Sequence, residues 1–297
     1  MWLRTGSPFT THAMGVAADE VAECHGNCMF EKKSNTPTQQ PPPDTGRLTA
    51  EEVAHKLRDP HFLPALAELR PHLEGISWAN QDQWLKVIND PKHRVFEILT
   101  KEYVDALAGY LSQRAFELGG TPENPITILE VGAGNGRLTH FLSKSFSSRP
   151  ESCAKVVATD SGEWKIGQSF AVEQLGHQEA IDRHQPTIII FSWMPAYTDL
   201  TSDFRKAPSV KEYLLIGEPD EGSCGDPWDT WGRDHTRNAP GTFDANWIPP
   251  HEADGFTRHN LKDLSELQLS RLSVIYLQER SETVAFIRSG ASLDEIS

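Results

Sequence analysis

Three glycines and two acids, set where short apolar runs end, are the residues of this chain whose types and spacing point most directly to chemistry. Gly132, Ala133, Gly134, Asn135 and Gly136 follow directly on Ile128-Leu129-Glu130-Val131. Glycines allow a sharp backbone turn and leave room for a ligand to press on it. A helix beginning at Arg137 would present unpaired N–H groups at the same place. Glu130 stands two residues before the first glycine. Asp160 ends the next apolar run, Lys155-Val156-Val157-Ala158-Thr159, 24 residues after Gly136, with Ser161 beside it. An acid at such a strand tip can accept hydrogen bonds from ribose hydroxyls; its plainer role would be to start the surface turn Asp160-Ser161-Gly162.

A second group follows the later runs. Ser192-Trp193-Met194-Pro195 succeeds the apolar run 187–191, and Glu218 and Asp220 succeed 212–216. Residues 211–234 hold seven acids against two bases, with Trp228 and Trp231 among them. Carboxylates beside aromatic faces suit a cationic or amine-bearing molecule; core packing and solvation are the plain alternatives for each of these residues. His235, His251 and His259 are possible bases, but no spacing singles one out and none suggests a metal site.

These residues need strands and helices to bring them together, and the pattern supplies both. Residues 127–131, 155–159, 169–173, 187–191 and 212–216 read as strands separated by helical segments or short crossovers, the pattern of a parallel α/β sheet. The link from Asp160 to the fourth strand is short, so the third strand should be stunted. Residues 272–277 and 283–287 read as a terminal antiparallel hairpin. Upstream, Thr49-Ala50-Glu51-Glu52 has the form of a capping box ahead of a short helix carrying Val53 and Leu57. Further helical segments are expected at 62–73, 78–88 and 95–118, the last with Val95, Leu99, Tyr103, Leu107 and Leu111 on one stripe. The expected organisation is a disordered tail at 1–46, a helical N-terminal part at 47–120 and an α/β domain at 121–297. The tail closes on Thr36-Pro37-Thr38-Gln39-Gln40-Pro41-Pro42-Pro43, which suits neither helix nor central strand.

The composition excludes several classes. There are 28 Lys and Arg against 42 Asp and Glu in 297 residues, a net charge of -14. Nucleic-acid binders draw affinity from phosphate neutralisation, so nucleic acid is not the expected partner. No apolar run nears the roughly 18 residues of a membrane span, and the N-terminus lacks the apolar stretch of a secretory signal. A soluble, cytoplasmic protein without membrane contact is expected. Four cysteines in so long a chain make no disulfide framework. Cys24 and Cys28 would be only half of a zinc site, and no metal is expected.

The run Glu130-x-Gly132-x-Gly134-x-Gly136 on a strand-turn-helix, with Asp160 at the tip of the next strand, resembles the cofactor loop of class I S-adenosylmethionine-dependent methyltransferases. A dinucleotide loop, Gly-x-Gly-x-x-Gly, would need glycine where Arg137 stands. The resemblance, covering about residues 95 to 290, implies a Rossmann-like, mostly parallel seven-stranded sheet with helices on both faces, and S-adenosylmethionine as cofactor. Carried onto this chain, it makes Glu130, Gly132, Ala133, Gly134, Gly136, Asp160 and Ser161 cofactor residues. Many members place an Asp and a small residue after the third strand for the adenine. This chain departs, offering His177 or Gln178, of which Gln178 is the candidate. Amine-methylating members often carry Asp/Asn/Ser-Pro-Pro-aromatic after the fourth strand. Ser192 fits its first position, though Trp193-Met194-Pro195 does not follow the rest. The expected activity is methyl transfer to a small molecule, amine-bearing or cationic. Ser192, Trp193 and Glu218 would act at the reacting centre, with Asp220, Trp228 and Trp231 holding the acceptor. Protein or RNA methylation, or a nicotinamide-dependent oxidoreductase on a similar fold, are the open alternatives.

Overall fold

The computed structural model describes residues 50–74, 95–149, 151–219, 224–232, 247–269 and 281–291, all within one compact unit, Arg47–Ser297. The expectations for the 1–46 tail, for Cys24 and Cys28, for a helix at 78–88, for a strand at 272–277 and for Asp220 lie outside the described residues. Seven strands form a single sheet in the order β3-β2-β1-β4-β5-β7-β6: β1 (Ile126–Val131), β2 (Ala154–Asp160), β3 (Glu173–Gln174), β4 (Ile188–Ser192), β5 (Glu212–Gly217), β6 (Phe256–Asn260) and β7 (Glu282–Arg288). The first five are mutually parallel where they pair, and β7 runs antiparallel between β5 and β6. This is the Rossmann-like plan with a terminal antiparallel pair. The outer partner of β7 is Phe256–Asn260, a strand that the sequence reading did not assign. The charged and polar Thr257, Arg258, His259 and Asn260 conceal it as a strand, because an edge strand keeps one side in water. The third strand is indeed short, two exposed residues in place of the expected 169–173.

Alternation along the strands explains why the sheet is covered on both faces. Ile128, Ile188, Ile190, Leu214, Ile216, Ala285 and Ile287 belong to one core. Their neighbours Leu129, Ile189, Phe191, Tyr213, Leu215, Val284 and Phe286 belong to the other. Successive side chains of a strand point to opposite faces, so runs apolar at every position need helices on both sides. The helices are α1 (Ala50–Leu57), α2 (Leu66–Glu74), α3 (Lys101–Glu117), α4 (Arg137–Ser147), α5 (His177–His184), α6 (Thr201–Lys206), α7 (Pro250–Ala253) and α8 (Lys262–Ser265). Helices α3 and α4 supply Tyr103, Leu107, Leu111, Phe141 and Leu142 to the first core. Helices α5 and α6 supply Ala180, Ile181 and Phe204 to the second.

Helix α3 starts six residues later than its stripe suggests. Thr100 caps it, accepting a hydrogen bond from the Tyr103 N–H at 3.2 Å. Val95 and Leu99 are buried in an extended lead-in outside the helix. From that lead-in, Val95, Phe96, Glu97 and Leu99 line the cavity described below. Helices α1 and α2 gather Val53, Leu57, Leu69 and Ile98 into a small core of their own.

Candidate functional site

Register brings the sequence-distant motifs to one edge. Val131 pairs with Thr159 on one side and Phe191 on the other, and Ser192 pairs with Ile216. The glycine loop, Asp160 and Ser192 therefore leave the sheet side by side at the carboxyl ends of the strands, where open α/β sheets bind ligands. They line a cavity of about 480 Å³, within the range of small-molecule sites, about 300–1,000 Å³.

The glycine loop turns because its glycines adopt backbone angles closed to other residues. Gly132, Gly134 and Gly136 have φ of 66°, 55° and 77°, left-handed values that cost other residues about 1–2 kcal/mol each. Their surroundings differ. A Cβ on Gly132 would lie 2.7 Å from the Phe191 ring, and one on Gly136 would lie 2.7 Å from Val172. A Cβ on Gly134 would meet only Ile166, at 3.5 Å, and Ile166 itself lines the cavity. Gly134 is thus the glycine that keeps the cavity open. Gly136 ends the turn as N-cap of α4 and does not line the cavity.

Asp160 is the clasp of this edge. One carboxylate oxygen accepts the Gly134 N–H at 2.9 Å, and the other accepts the Gly162 N–H at 2.7 Å. Asp160 and Ser161 both line the cavity. Glu130 also reaches it, but its carboxyl is engaged behind the loop. One oxygen accepts from the Thr139 N–H at 3.0 Å and from the Thr139 hydroxyl at 2.5 Å. Burial pushes this carboxyl up to about 7, the Thr139 hydrogen bonds pull it down, and the Asp160 charge adds to the rise. Glu130 holds the loop onto the first turn of α4 as much as it faces the cavity.

Arg137 explains the residue that takes the place of a third dinucleotide glycine. It is buried, lines the cavity, and donates to the carbonyls of Leu57 (3.2 Å) and Phe62. It pins the α1–α2 segment over the start of α4.

Val95, Phe96, Glu97 and Leu99, together with Trp193, supply a further part of the lining. Trp193 has φ 58°, unusual for a bulky side chain. Its indole N–H donates to Glu97 at 2.9 Å. Phe96 stacks on Trp193, with ring centroids 6.2 Å apart, and meets Trp164 edge-on at 5.9 Å. Phe96, Glu97, Trp164 and Trp193 all line the cavity. The sequence reading missed Phe96, Glu97 and Trp164. A usable signal was present for Glu97, an acid inside the apolar run Val95-Phe96-Glu97-Ile98-Leu99, where a solvated residue has no place.

Several other expectations change. Gln178 is exposed and turns its amide to Asp203 at 3.0 Å; Leu175, Gly176 and His177 line the cavity in its stead. His177 has its Nε2 2.9 Å from the same Asp203 oxygen. Glu218 is 2% exposed and does not line the cavity, so it is not placed to act on an acceptor there. Trp231 is 1% exposed, with its indole N–H on the Cys224 carbonyl at 2.7 Å. It is a core residue and not part of a lid. Trp228, half-buried, does not line the cavity either. Trp231 belongs to the sheet's second core, together with Cys224 and Phe256. Cys153 and Cys224 are free and buried, and burial pushes the Cys224 thiol up, away from nucleophile behaviour. Among the described residues no group of three or more His, Cys, Asp or Glu is placed to hold a metal, and no helix is long and apolar enough to cross a membrane.

No protein-family model matches the chain, and no curated protein matches it. Among solved structures it is similar to the CurJ carbon methyltransferase, at 13% identity over 81% of this chain and 67% of that one, with a TM-score of 0.38. It is also similar to the DszA carbon methyltransferase (15%, 82% and 67%, TM-score 0.38). A third is the magnesium protoporphyrin IX methyltransferase ChlM from Synechocystis PCC 6803 with bound SAH (11%, 75% and 99%, TM-score 0.34).

Proposed function

We propose that this chain is an S-adenosylmethionine-dependent methyltransferase acting on a small molecule. The observation that carries the reading is the shared cavity: Glu130, Gly132, Gly134, Asp160 and Ser192, far apart in sequence and each assigned from its motif, line one space at the carboxyl edge of the sheet. The residues present fit the cofactor. Gly134 leaves free the volume that a Cβ would take on the cavity side. Each Asp160 oxygen accepts one backbone N–H, and an ionised carboxylate has about four acceptor sites, so capacity remains for ribose hydroxyls. S-adenosylmethionine bound there supplies the electrophilic methyl group. The chain's own part is to hold the acceptor in line and exclude water. Ser192 and Trp193, next to the glycine loop because β4 adjoins β1, suit the acceptor side. The acceptor is an amine-bearing or cationic molecule, favoured by the carboxylate and aromatic faces of that side.

A thermal-shift comparison tests the cofactor. S-adenosylhomocysteine at 100 times its Kd should add about 2.7 kcal/mol of stability, while NAD and NADP should add nothing. A shift with a nicotinamide cofactor and none with S-adenosylhomocysteine refutes the proposal.

A further inference from the structure

A buried cation lines the cavity, and no motif accounts for it. Among the described residues the lining holds four acids, Glu97, Glu130, Asp160 and Glu163, and a single Lys or Arg, Arg137. Arg137 opens α4 directly after Gly136 and is 5% exposed. Its guanidinium has five N–H donors and no acceptor. Two bonds go to backbone carbonyls, those of Leu57 at 3.2 Å and of Phe62. The Nε–H is buried and has no hydrogen-bond partner. The other arginines buried to this degree among the described residues are paired, Arg114 with Glu212 at 2.6 Å and Arg205 with Asp254 at 2.7 Å. Arg137 has no such bridge among the described residues: its neighbours are two carbonyls and the Phe141 ring, whose centre lies 5.8 Å away. Burial pulls its pKa down to about 10 and the charge of exposed Asp59 pulls it back up, so it is charged at neutral pH.

A buried charge is costly unless it is paired, so a guanidinium on a cavity wall calls for an anion from the cavity. A carboxylate suits it, because the planar fork donates two parallel N–H bonds to its two oxygens. The place on the helix adds to this. The first turn of a helix favours negative charge, and α4 carries no acidic residue there. The four acids of the lining repel a second anion, which leaves Arg137 as the part of the wall where the negative end of a ligand is stabilised. We propose that Arg137 binds the carboxylate at the amino-acid end of S-adenosylmethionine and so separates ligands that carry that group from nucleosides that lack it. The proposal rests on the methyltransferase reading for the identity of the ligand. A carboxylate on the acceptor has the same chemistry, and titration of cofactor analogues with no acceptor present tells the two sources apart.

Calorimetry on the full chain tests it with two ligands that differ by one group. They are S-adenosylhomocysteine and S-adenosyl-3-thiopropylamine, the same molecule without its carboxylate. Each is titrated into the wild type, Arg137→Gln and Arg137→Lys. The expected result is a preference for S-adenosylhomocysteine of roughly 10- to 150-fold in the wild type. Most of that preference should be lost in Arg137→Gln and part of it kept in Arg137→Lys, which retains the charge without the fork. The ratio of the two affinities is the readout because Arg137 also holds the Leu57 and Phe62 carbonyls; loosening there weakens both ligands alike and leaves the ratio unchanged. Equal affinities in the wild type would overturn the proposal with no variant needed, so the test survives a substitution that folds poorly. A preference that persists in full in Arg137→Gln would overturn it too, because the carboxylate would then be held by other groups. Failure of both ligands to bind the wild type would instead refute the methyltransferase reading, and the carboxylate assignment with it.

Discussion

The three loop glycines look equivalent in sequence and are not. At Gly132 an added Cβ meets both a left-handed φ and the Phe191 ring at 2.7 Å; at Gly134 it meets the left-handed φ and, at an ordinary contact distance of 3.5 Å, Ile166. Gly132→Ala should therefore act on stability, adding an overpacking cost of about 1–3 kcal/mol to the backbone strain. Gly134→Ala should keep most of the stability and lose S-adenosylhomocysteine affinity. Melting curves and calorimetry on both variants separate the two; equal losses of stability would show that the Phe191 contact relaxes freely. Asp160 carries a double duty of a similar kind. Asp160→Ala leaves the amides of Gly134 and Gly162 without their acceptor. It should weaken S-adenosylhomocysteine by about 1–3 kcal/mol, roughly 5- to 150-fold, and lower the melting temperature as well. Unchanged affinity in calorimetry would reduce Asp160 to a turn residue.

At the scale of elements, the α1–α2 segment and the cofactor loop share Arg137. Its backbone starts α4, its side chain holds the Leu57 and Phe62 carbonyls, and it lines the cavity. Further ties between the N-terminal helices and α3 are the Leu66 N–H on Glu102 at 2.7 Å and the Lys101 N–H on the Pro64 carbonyl at 2.9 Å. Ligand binding at the glycine loop should therefore be felt in residues 50–65. Hydrogen exchange there should slow when S-adenosylhomocysteine binds, and Arg137→Met should abolish that protection while speeding basal exchange. Exchange in 50–65 that ignores both ligand and substitution would mean that the N-terminal helices stand apart from the site.

For the whole molecule, two buried groups pull the acid limb of stability in opposite directions. Burial, then the charges of Arg205 and Arg258, lower His251 to about 4. The unfolded chain takes up that proton near pH 6.5 and the folded one does not, so stability falls as pH drops from about 6.5 toward 4. Glu130 is raised to about 7; the folded state binds its proton first, so between about pH 7 and 4.5 it gains stability as pH falls. The net slope mixes the two, but a difference isolates one. His251 lies over Phe286, ring centroids 5.0 Å apart, and a Cβ on Gly232 would fall 2.1 Å from its ring. His251→Gln should cost stability at every pH. Its deficit relative to wild type should shrink from pH 7 to pH 5, by up to about 2 kcal/mol. A constant deficit across that range would show that His251 titrates normally.

What the sequence determined by itself were the features that local rules dictate. Runs apolar at every position, such as Ile188-Ile189-Ile190-Phe191, need cover on both faces, and this made the central strands legible to within a residue or two. The acid and glycine spacing from Glu130 to Gly136 specifies a turn that depends on backbone angles, and it was legible for the same reason. The tertiary structure alone decided which distant residues share the cavity. Glu97 lies inside an apolar run whose period reads as helix, and the capping of α3 at Thr100 leaves it outside the helix, where it lines the cavity. Trp231 and Glu218 follow a strand end, as Trp193 does, yet Trp193 lines the cavity and they do not. Composition could not tell these tryptophans apart, because burial against a core and exposure to a cavity ask for the same apolar rings, and only packing selects between them.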